Sequence, residues 1–152
     1  MLIHNEDNFE NISLENYKIN RTTPFDPKVL EFLNTLSKLI LNNKKARAFP
    51  DLITFGFFCR KSNLIKNKER YLNEIDLRLG YGLALHISPS NIPINFAFSF
   101  IFGLLSGNSN FIRLPSKKYE QNILLLKIIE SLLTSADFNH IKKSTIFFHS
   151  ER

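Results

Sequence analysis

Disulfide and metal-ligand patterns are absent from this sequence. Its single cysteine, Cys59, excludes an internal disulfide. His4, His140 and His149 show no metal-ligand spacing with Cys59, so no metal site is predicted. Because Cys59 lies in a Phe-rich segment, we expect a buried structural thiol. One free thiol is compatible with a reducing, cytoplasmic compartment.

Long apolar runs are also missing. The longest, residues 92–105, is shorter than the roughly 18 residues that span a bilayer, and it carries Asn95 and Ser99. The first residues are polar and acidic, unlike a signal peptide. No internal repeat or low-complexity tract is evident. We therefore expect a soluble, cytoplasmic protein without a membrane span.

The composition predicts a folded domain with an excess of positive charge. Hydrophobic residues make up 43% of the 152 residues and charged residues 22%, which is typical of globular proteins. The net charge of +6 suits nucleic acid, an anionic membrane surface, or a phosphate-rich ligand such as coenzyme A or a dinucleotide. No basic stripe with interleaved aromatics is present, so solvated helix faces are favoured and no nucleic-acid partner is predicted.

The first half of the chain has helical patterns. Asp26-Pro27 is an N-cap followed by proline, and the apolar residues after it fall mainly on one face, which predicts a helix over residues 27–42. After a basic linker at 44–49, Pro50-Asp51 opens a second helical stretch. Residues 1–23 are predicted to be a loosely packed lead-in with a short strand near residues 17–19.

The central stretch, residues 82–117, has the order strand, loop, helix, strand. Leu83 to Ile87 is a short apolar run, which predicts a strand buried on both faces of a parallel sheet. Residues 94–105 predict a helix with Pro93 at its start and a glycine just past its end. His86, inside the first strand, is interpreted as a core histidine rather than a base.

The last part of the chain extends this unit. Residues 118–134 carry the wide apolar face of a predicted helix, and Ser116 or Lys117 is predicted to start this helix. Residues 144–149 predict a third strand. The predicted fold is α/β: part of a doubly wound, Rossmann-like parallel sheet (residues 79–152), preceded by a helical lead-in (residues 1–78). Such domains usually have about five or six strands, so three predict an incomplete domain.

Two motifs lie where ligands bind in such a sheet, outside the carboxyl ends of the strands. Residues 87–93, Ile-Ser-Pro-Ser-Asn-Ile-Pro, resemble the first strand and loop of the cofactor domain in the aldehyde dehydrogenase superfamily, written Pro-Trp-Asn-Phe-Pro. Gly107-Asn108, followed by Arg-Leu-Pro-Ser-Lys at 113–117, resembles that superfamily's Gly-Asn, strand, Lys-Pro-(Ser/Ala)-Glu element.

The departures from these motifs favour one branch of the superfamily. Ser90 stands where the superfamily usually has Trp, Arg113 where it has Lys, and Lys117 where it has Glu. Leu114 is an additional residue in the second motif. These features resemble the fatty acyl-CoA reductase of luminous bacteria and its relatives.

This resemblance implies NADPH-dependent reduction of a fatty acyl-CoA, or an acyl-protein, to a fatty aldehyde through an acyl-cysteine intermediate. The family's nucleophilic cysteine lies well after the cofactor loops, whereas Cys59 precedes them. The chain is therefore predicted to be an amino-terminal, catalytically incomplete part of such an enzyme. A separate chain carrying the missing half is a further expected partner, and the full-length family is expected to form homo-oligomers.

The resemblance also assigns roles to site residues. Asn91 would donate its side-chain amide to the developing oxyanion; the alternative is that it only closes a turn between two prolines. Ile87, Ser88 and Pro89 would line the cofactor floor through their backbone.

The residues after the second strand would contact the cofactor. Arg113 would contact the ribose, with Ser116 and Lys117 beside it. Lys in place of an acid at 117 favours NADP over NAD. Alternatively, Arg113 and Lys117 are ordinary charges at a helix start.

Two other functions remain open at this point. One is a nucleotide-binding or scaffold module that pairs with a separate chain. The other is an unrelated basic α/β binding domain.

Overall fold

The computed structural model describes residues 17–71 and 78–149. Three strands form one parallel sheet in the order β1-β2-β3, so the α/β class is confirmed. The strands are β1 (Leu83–Ile87), β2 (Ser109–Arg113) and β3 (Thr145–Phe148). The helices are α1 (Pro27–Asn42), α2 (Pro50–Phe58), α3 (Lys61–Glu69), α4 (Asn95–Leu105), α5 (Glu120–Leu133) and α6 (Asn139–Lys143), with 3₁₀ turns at Ala46–Ala48 and Ala136–Phe138.

Helix α1 begins and ends where the sequence predicts. The Asp26 carboxylate accepts hydrogen bonds from the backbone N–H groups of Lys28 and Val29, at 2.8 and 3.4 Å. These bonds satisfy two of the N–H groups that have no partner within a helix. The apolar face of α1 is buried in a core that it shares with α4 and α5.

The division of the chain into two parts at residue 78 stays a prediction.

The second helical stretch is two helices rather than one. Arg60 has an extended conformation (φ −60°, ψ 134°), which ends the first helical segment at Cys59 and starts α3 at Lys61. Cys59 is fully buried at this junction. None of the described helices is long and apolar enough to cross a membrane.

The two crossovers place helices on one face of the sheet. Both connections step in the same direction, β1 to β2 to β3, and right-handed crossovers of this kind put their helices on the same side. Helix α4 packs there: the Phe100 ring lies 5.1 Å from the ring of Phe147 in β3. A Cβ at Gly103 would overlap the Asn110 side chain, so glycine permits this close approach.

Strand β1 departs from the prediction that both of its faces are buried. Leu83, Leu85 and Ile87 are 45%, 55% and 66% exposed. They project from the face opposite α4, and β1 lies at the edge of the described sheet. On that face the Tyr17 ring packs 4.9 Å from Phe111 of β2, so β2 is covered there while β1 is not. Because only one face carries helices within residues 17–71 and 78–149, the doubly wound, Rossmann-like arrangement stays a prediction.

Two further boundaries differ from the sequence prediction. Residues 17–23 form no strand, because their backbone bonds go to separate elements and make no ladder. Lys18 N–H donates to Lys143 O in α6 at 2.9 Å, and Thr22 N–H donates to Gly107 O after α4 at 3.0 Å. Helix α5 begins at Glu120, later than Ser116 or Lys117. The Leu114 N–H continues the ladder to Phe148 O at 2.8 Å, and Tyr119 is still extended.

Candidate functional site

The carboxyl ends of β1 and β2 lie side by side. In the sheet register Ile87 is the partner of Arg113, and Arg113 is the partner of Phe148. Because side chains at paired positions project from the same face, Ile87 and Arg113 both lie on the face opposite α4. The structure therefore brings together two residues that the sequence assigned to one ligand site, although they are 26 positions apart in the sequence.

The loop after β1, residues 88–94, is here called the β1 loop. Its first and last residues, Ser88 and Ile94, are buried, whereas Pro89 and Asn91 are exposed. The loop therefore leaves the core, presents Asn91, and returns to the core. This shape places the Asn91 amide where a ligand outside the strand ends could reach it.

The β1 loop leads directly into the amino end of α4. Ile94 is the N-cap residue, and its carbonyl accepts from Ala97 N–H at 2.9 Å. The first N–H groups of a helix have no intrahelical partner, and the helix dipole favours negative charge there. The carboxyl end of β1 thus combines the exposed Asn91 with the positive end of the α4 dipole, which favours anionic groups such as phosphate.

Two buried polar atoms near this loop have no hydrogen-bond partner within the described chain. They are Ser88 Oγ, directly after β1, and Asn122 Nδ2, in the first turn of α5. The other atom of the same amide, Asn122 Oδ1, accepts from Ile94 N–H at 2.7 Å. Sequence reasoning missed Asn122. Its only signal was a polar residue at a helical position otherwise flanked by apolar core residues such as Leu125.

The loop after β2, residues 114–119, separates into a buried and an exposed part. Leu114 and Pro115 are buried, so the additional leucine is a core residue. Ser116 and Lys117 are exposed, and the Lys117 ammonium lies 4.9 Å from the centroid of the Tyr119 ring. Arg113 is partly buried at the end of β2. Arg113 and Lys117 therefore both lie at the carboxyl end of β2, where their positive charge would favour an anionic ligand.

His86 lies inside β1 on the face that packs against α4. Its Nε2 is 2.8 Å from Asn110 Oδ1, and Asn110 Nδ2 donates to the Asn108 carbonyl. Since the Asn110 oxygen can only accept, His86 Nε2 carries the proton in this pair. The pair joins β1 to β2 beneath Gly103, which is a structural role.

Cys59 is chemically unsuited to act as a nucleophile. Its side chain is fully buried, and desolvation raises the pKa of the thiol to about 12. The thiolate is the reactive form, so this thiol is inert near neutral pH. The expectation of a buried structural thiol is confirmed. Within residues 17–71 and 78–149, no group of three or more His, Cys, Asp or Glu side chains could hold a metal ion.

Comparison with known protein families gives a match. The family model described as acyl-CoA reductase (LuxC) matches residues 4–147. No curated protein and no solved structure matches the chain. The family match covers nearly the whole sequence and includes both loops at the carboxyl ends of β1 and β2. The chain therefore belongs to the acyl-CoA reductase (LuxC) family.

Proposed function

We propose that this chain supplies the oxyanion donor and part of the cofactor-binding site of an NADPH-dependent reductase, at the carboxyl ends of β1 and β2. The enzyme would convert a fatty acyl-CoA, or an acyl-protein, to a fatty aldehyde. The observation that carries the proposal is the exposed Asn91, presented at the carboxyl end of β1 in a member of the acyl-CoA reductase family. The free thiol in a buried position is compatible with action in the cytoplasm.

The residues at the carboxyl ends of β1 and β2 support a dinucleotide as the proposed ligand. The backbone of Ile87, Ser88 and Pro89 would form the floor, and the α4 amino end favours the pyrophosphate charge. Arg113 and Ser116 would contact the ribose, and Lys117 would favour the 2′-phosphate that distinguishes NADP from NAD. A bound NADPH would supply the reducing equivalents.

Asn91 would act on the substrate itself. When a thiolate attacks the thioester carbonyl, the carbonyl oxygen gains negative charge, and a fixed amide N–H stabilises it. The attacking thiolate must come from outside the described residues, because the only cysteine in the sequence is the buried Cys59. We propose that this chain alone is inactive and that further polypeptide, covalently continuous or separate, contributes the nucleophile.

A second candidate function is a nucleotide-binding or scaffold module that pairs with another chain. The exposed apolar side chains of Leu83, Leu85 and Ile87 on the edge strand support it. An edge strand with such a surface can accept a further strand or a covering layer. The same surface would serve the remainder of an aldehyde-dehydrogenase-like sheet.

The experiment has two parts. In the first, NADPH is titrated with this chain and binding is followed by NADPH fluorescence. In the second, the cysteine-bearing half of a full-length family member and a fatty acyl-CoA are added, and NADPH oxidation is measured. We expect NADPH binding by the chain alone, and oxidation only in the combination. The Asn91→Ala variant should bind NADPH normally but reduce kcat by about 10²- to 10³-fold.

Asn139→Ala is the matched control, since Asn139 is an exposed asparagine at the start of α6, far from the loop in sequence. Binding without oxidation in any combination would favour the scaffold module. Absence of NADPH binding would contradict the proposed function.

A further inference from the structure

We propose that Asn122 is a positioning residue that holds the β1 loop in the conformation that presents Asn91. The hydrogen bond between Asn122 Oδ1 and Ile94 N–H carries this proposal. Its consequence for catalysis rests on the proposed function, whereas its effect on the loop does not.

Ile94 needs such an anchor because its backbone is strained. It has φ 51° and ψ 2°, the left-handed region, as the N-cap of α4. A β-branched side chain is rarely found there, because Cβ crowds the following carbonyl. Strained residues of this kind persist only where the surrounding structure fixes them, and they concentrate at functional sites.

The contact that fixes Ile94 comes from a distant part of the chain. Asn122 is 28 residues away, in the first turn of α5, and its Oδ1 lies 2.7 Å from Ile94 N. Both residues are buried, so water cannot easily replace the bond. Ile94 has no side-chain oxygen, so it cannot supply the capping interaction that an Asn or Ser N-cap would give.

The other half of the Asn122 amide shows that packing alone does not explain this residue. Asn122 Nδ2 is buried without a partner among the described residues, which is unfavourable. A leucine at this position, like the buried Leu125 nearby, would fill the same space without burying an amide donor. Asparagine is needed here because its side-chain oxygen accepts the hydrogen bond from Ile94 N–H.

Anchoring Ile94 also restricts Asn91. The β1 loop is held at one end by the last residue of β1, Ile87, and at the other by Ile94. Pro89 and Pro93 fix φ within it, so little freedom remains. Release of Ile94 would let the loop relax and move the Asn91 amide away from the reacting carbonyl.

The test begins with the unmodified protein. Heteronuclear NMR should detect scalar coupling across the hydrogen bond, between the Ile94 backbone nitrogen and the Asn122 side-chain carbonyl carbon. Amide hydrogen exchange then compares wild type with Asn122→Ala. We expect Ile94 N–H to exchange about 10²-fold faster in the variant, beyond any change shared by the core amides. Asn122→Asp, which retains an acceptor oxygen, should restore most of the protection.

Ser37→Ala is the matched control. Ser37 Oγ donates to Gly56 O at 2.6 Å, a buried side-chain-to-backbone bond between α1 and α2, so the variant loses a similar bond away from the loop. In the combined enzyme, Asn122→Ala should reduce kcat about 10²-fold with little change in the KM for acyl-CoA, and Ser37→Ala should leave both unchanged.

Absence of the coupling, or unchanged Ile94 exchange in Asn122→Ala, would overturn the positioning role. A released Ile94 with unchanged kcat would overturn its link to Asn91. If the wild-type combination lacks activity, the proposed function fails, and the coupling and exchange results still decide whether Asn122 holds the loop.

Discussion

At the scale of single residues, burial determines the chemistry of Cys59. The thiol lies between α2 and α3, and desolvation raises its pKa from 9.0 to about 12. The folded state therefore keeps the thiol proton at pH values where the unfolded chain releases it. The stabilisation from this difference is complete below pH 9 and is lost as pH rises toward 12.

This linkage predicts that Cys59→Ala changes the pH dependence of stability. Above pH 9 the free energy of unfolding of the wild type should fall by up to about 1.4 kcal/mol per pH unit more than that of the variant. Urea unfolding at pH 8 and pH 10.5 measures the difference between the two proteins. Parallel stability curves over this range would contradict the assignment. An aromatic disulfide reagent should not label Cys59 in the folded wild type and should label it after unfolding.

A second prediction at this scale concerns Lys117. If the ammonium binds the 2′-phosphate, Lys117→Glu should weaken NADPH binding about tenfold relative to NADH, because an acid repels the phosphate and accepts from ribose hydroxyls. Fluorescence titration with both cofactors gives the ratio. Lys118→Glu is the control, because it makes the same charge change at a neighbouring exposed position. An equal effect of both variants would indicate general electrostatics instead of a specific contact.

At the scale of elements, local signals determine where α1 begins and where α4 ends. Asp26-Pro27 starts α1 through the cap bonds to Lys28 and Val29. The α4 helix ends just before Gly107, whose φ of 79° suits glycine. Neighbouring residues carry this information, so the sequence predicted α1 and the end of α4 closely, whereas the start of α4 at Ile94 is held by the distant Asn122.

The α1 cap gives the third prediction. Asp26→Ala should lower the free energy of unfolding by about 1 kcal/mol, because two backbone N–H groups lose their acceptor. Chemical denaturation measures the loss. Asp137→Ala removes the same charge from an exposed position in the 3₁₀ turn before α6 and should have little effect. Equal losses in the two variants would show that net charge, not capping, is responsible.

At the scale of the whole molecule, the described sheet has one covered and one partly bare face. The fourth prediction follows from this asymmetry. Leu85→Thr, at a side chain 55% exposed, should change the free energy of unfolding by less than about 0.5 kcal/mol. Ile112→Thr, at a fully buried side chain of β2, should cost about 2 to 4 kcal/mol.

Urea unfolding of both variants tests the prediction. A large loss in Leu85→Thr would mean that the outer face of β1 is covered in the isolated chain. If stability is unchanged but association with the cysteine-bearing half is lost, Leu85 belongs to the surface that contacts that half. Such an outcome would connect the bare face to the proposed function.

The sequence alone determined the order of α1, β1, α4, β2, α5 and β3, the family motifs in the β1 loop and after β2, and the burial of Cys59. These features depend on short-range patterns: caps, prolines, glycines and runs of apolar residues. The sequence did not separate α2 from α3 or predict α6. The roles assigned to Asn91, Arg113 and Lys117 also come from the sequence and stay predictions.

Only the tertiary structure decided which faces are covered and which distant residues meet. The apolar pattern of Leu83 to Ile87 is the same whether one face or both are buried, because a pattern does not say what packs against it. The bond between Asn122 and Ile94 joins α5 to the β1 loop across 28 positions, and the strain at Ile94 exists only once α4 and the loop are packed. Such contacts are set by the packing of separate elements, so no local pattern could reveal them.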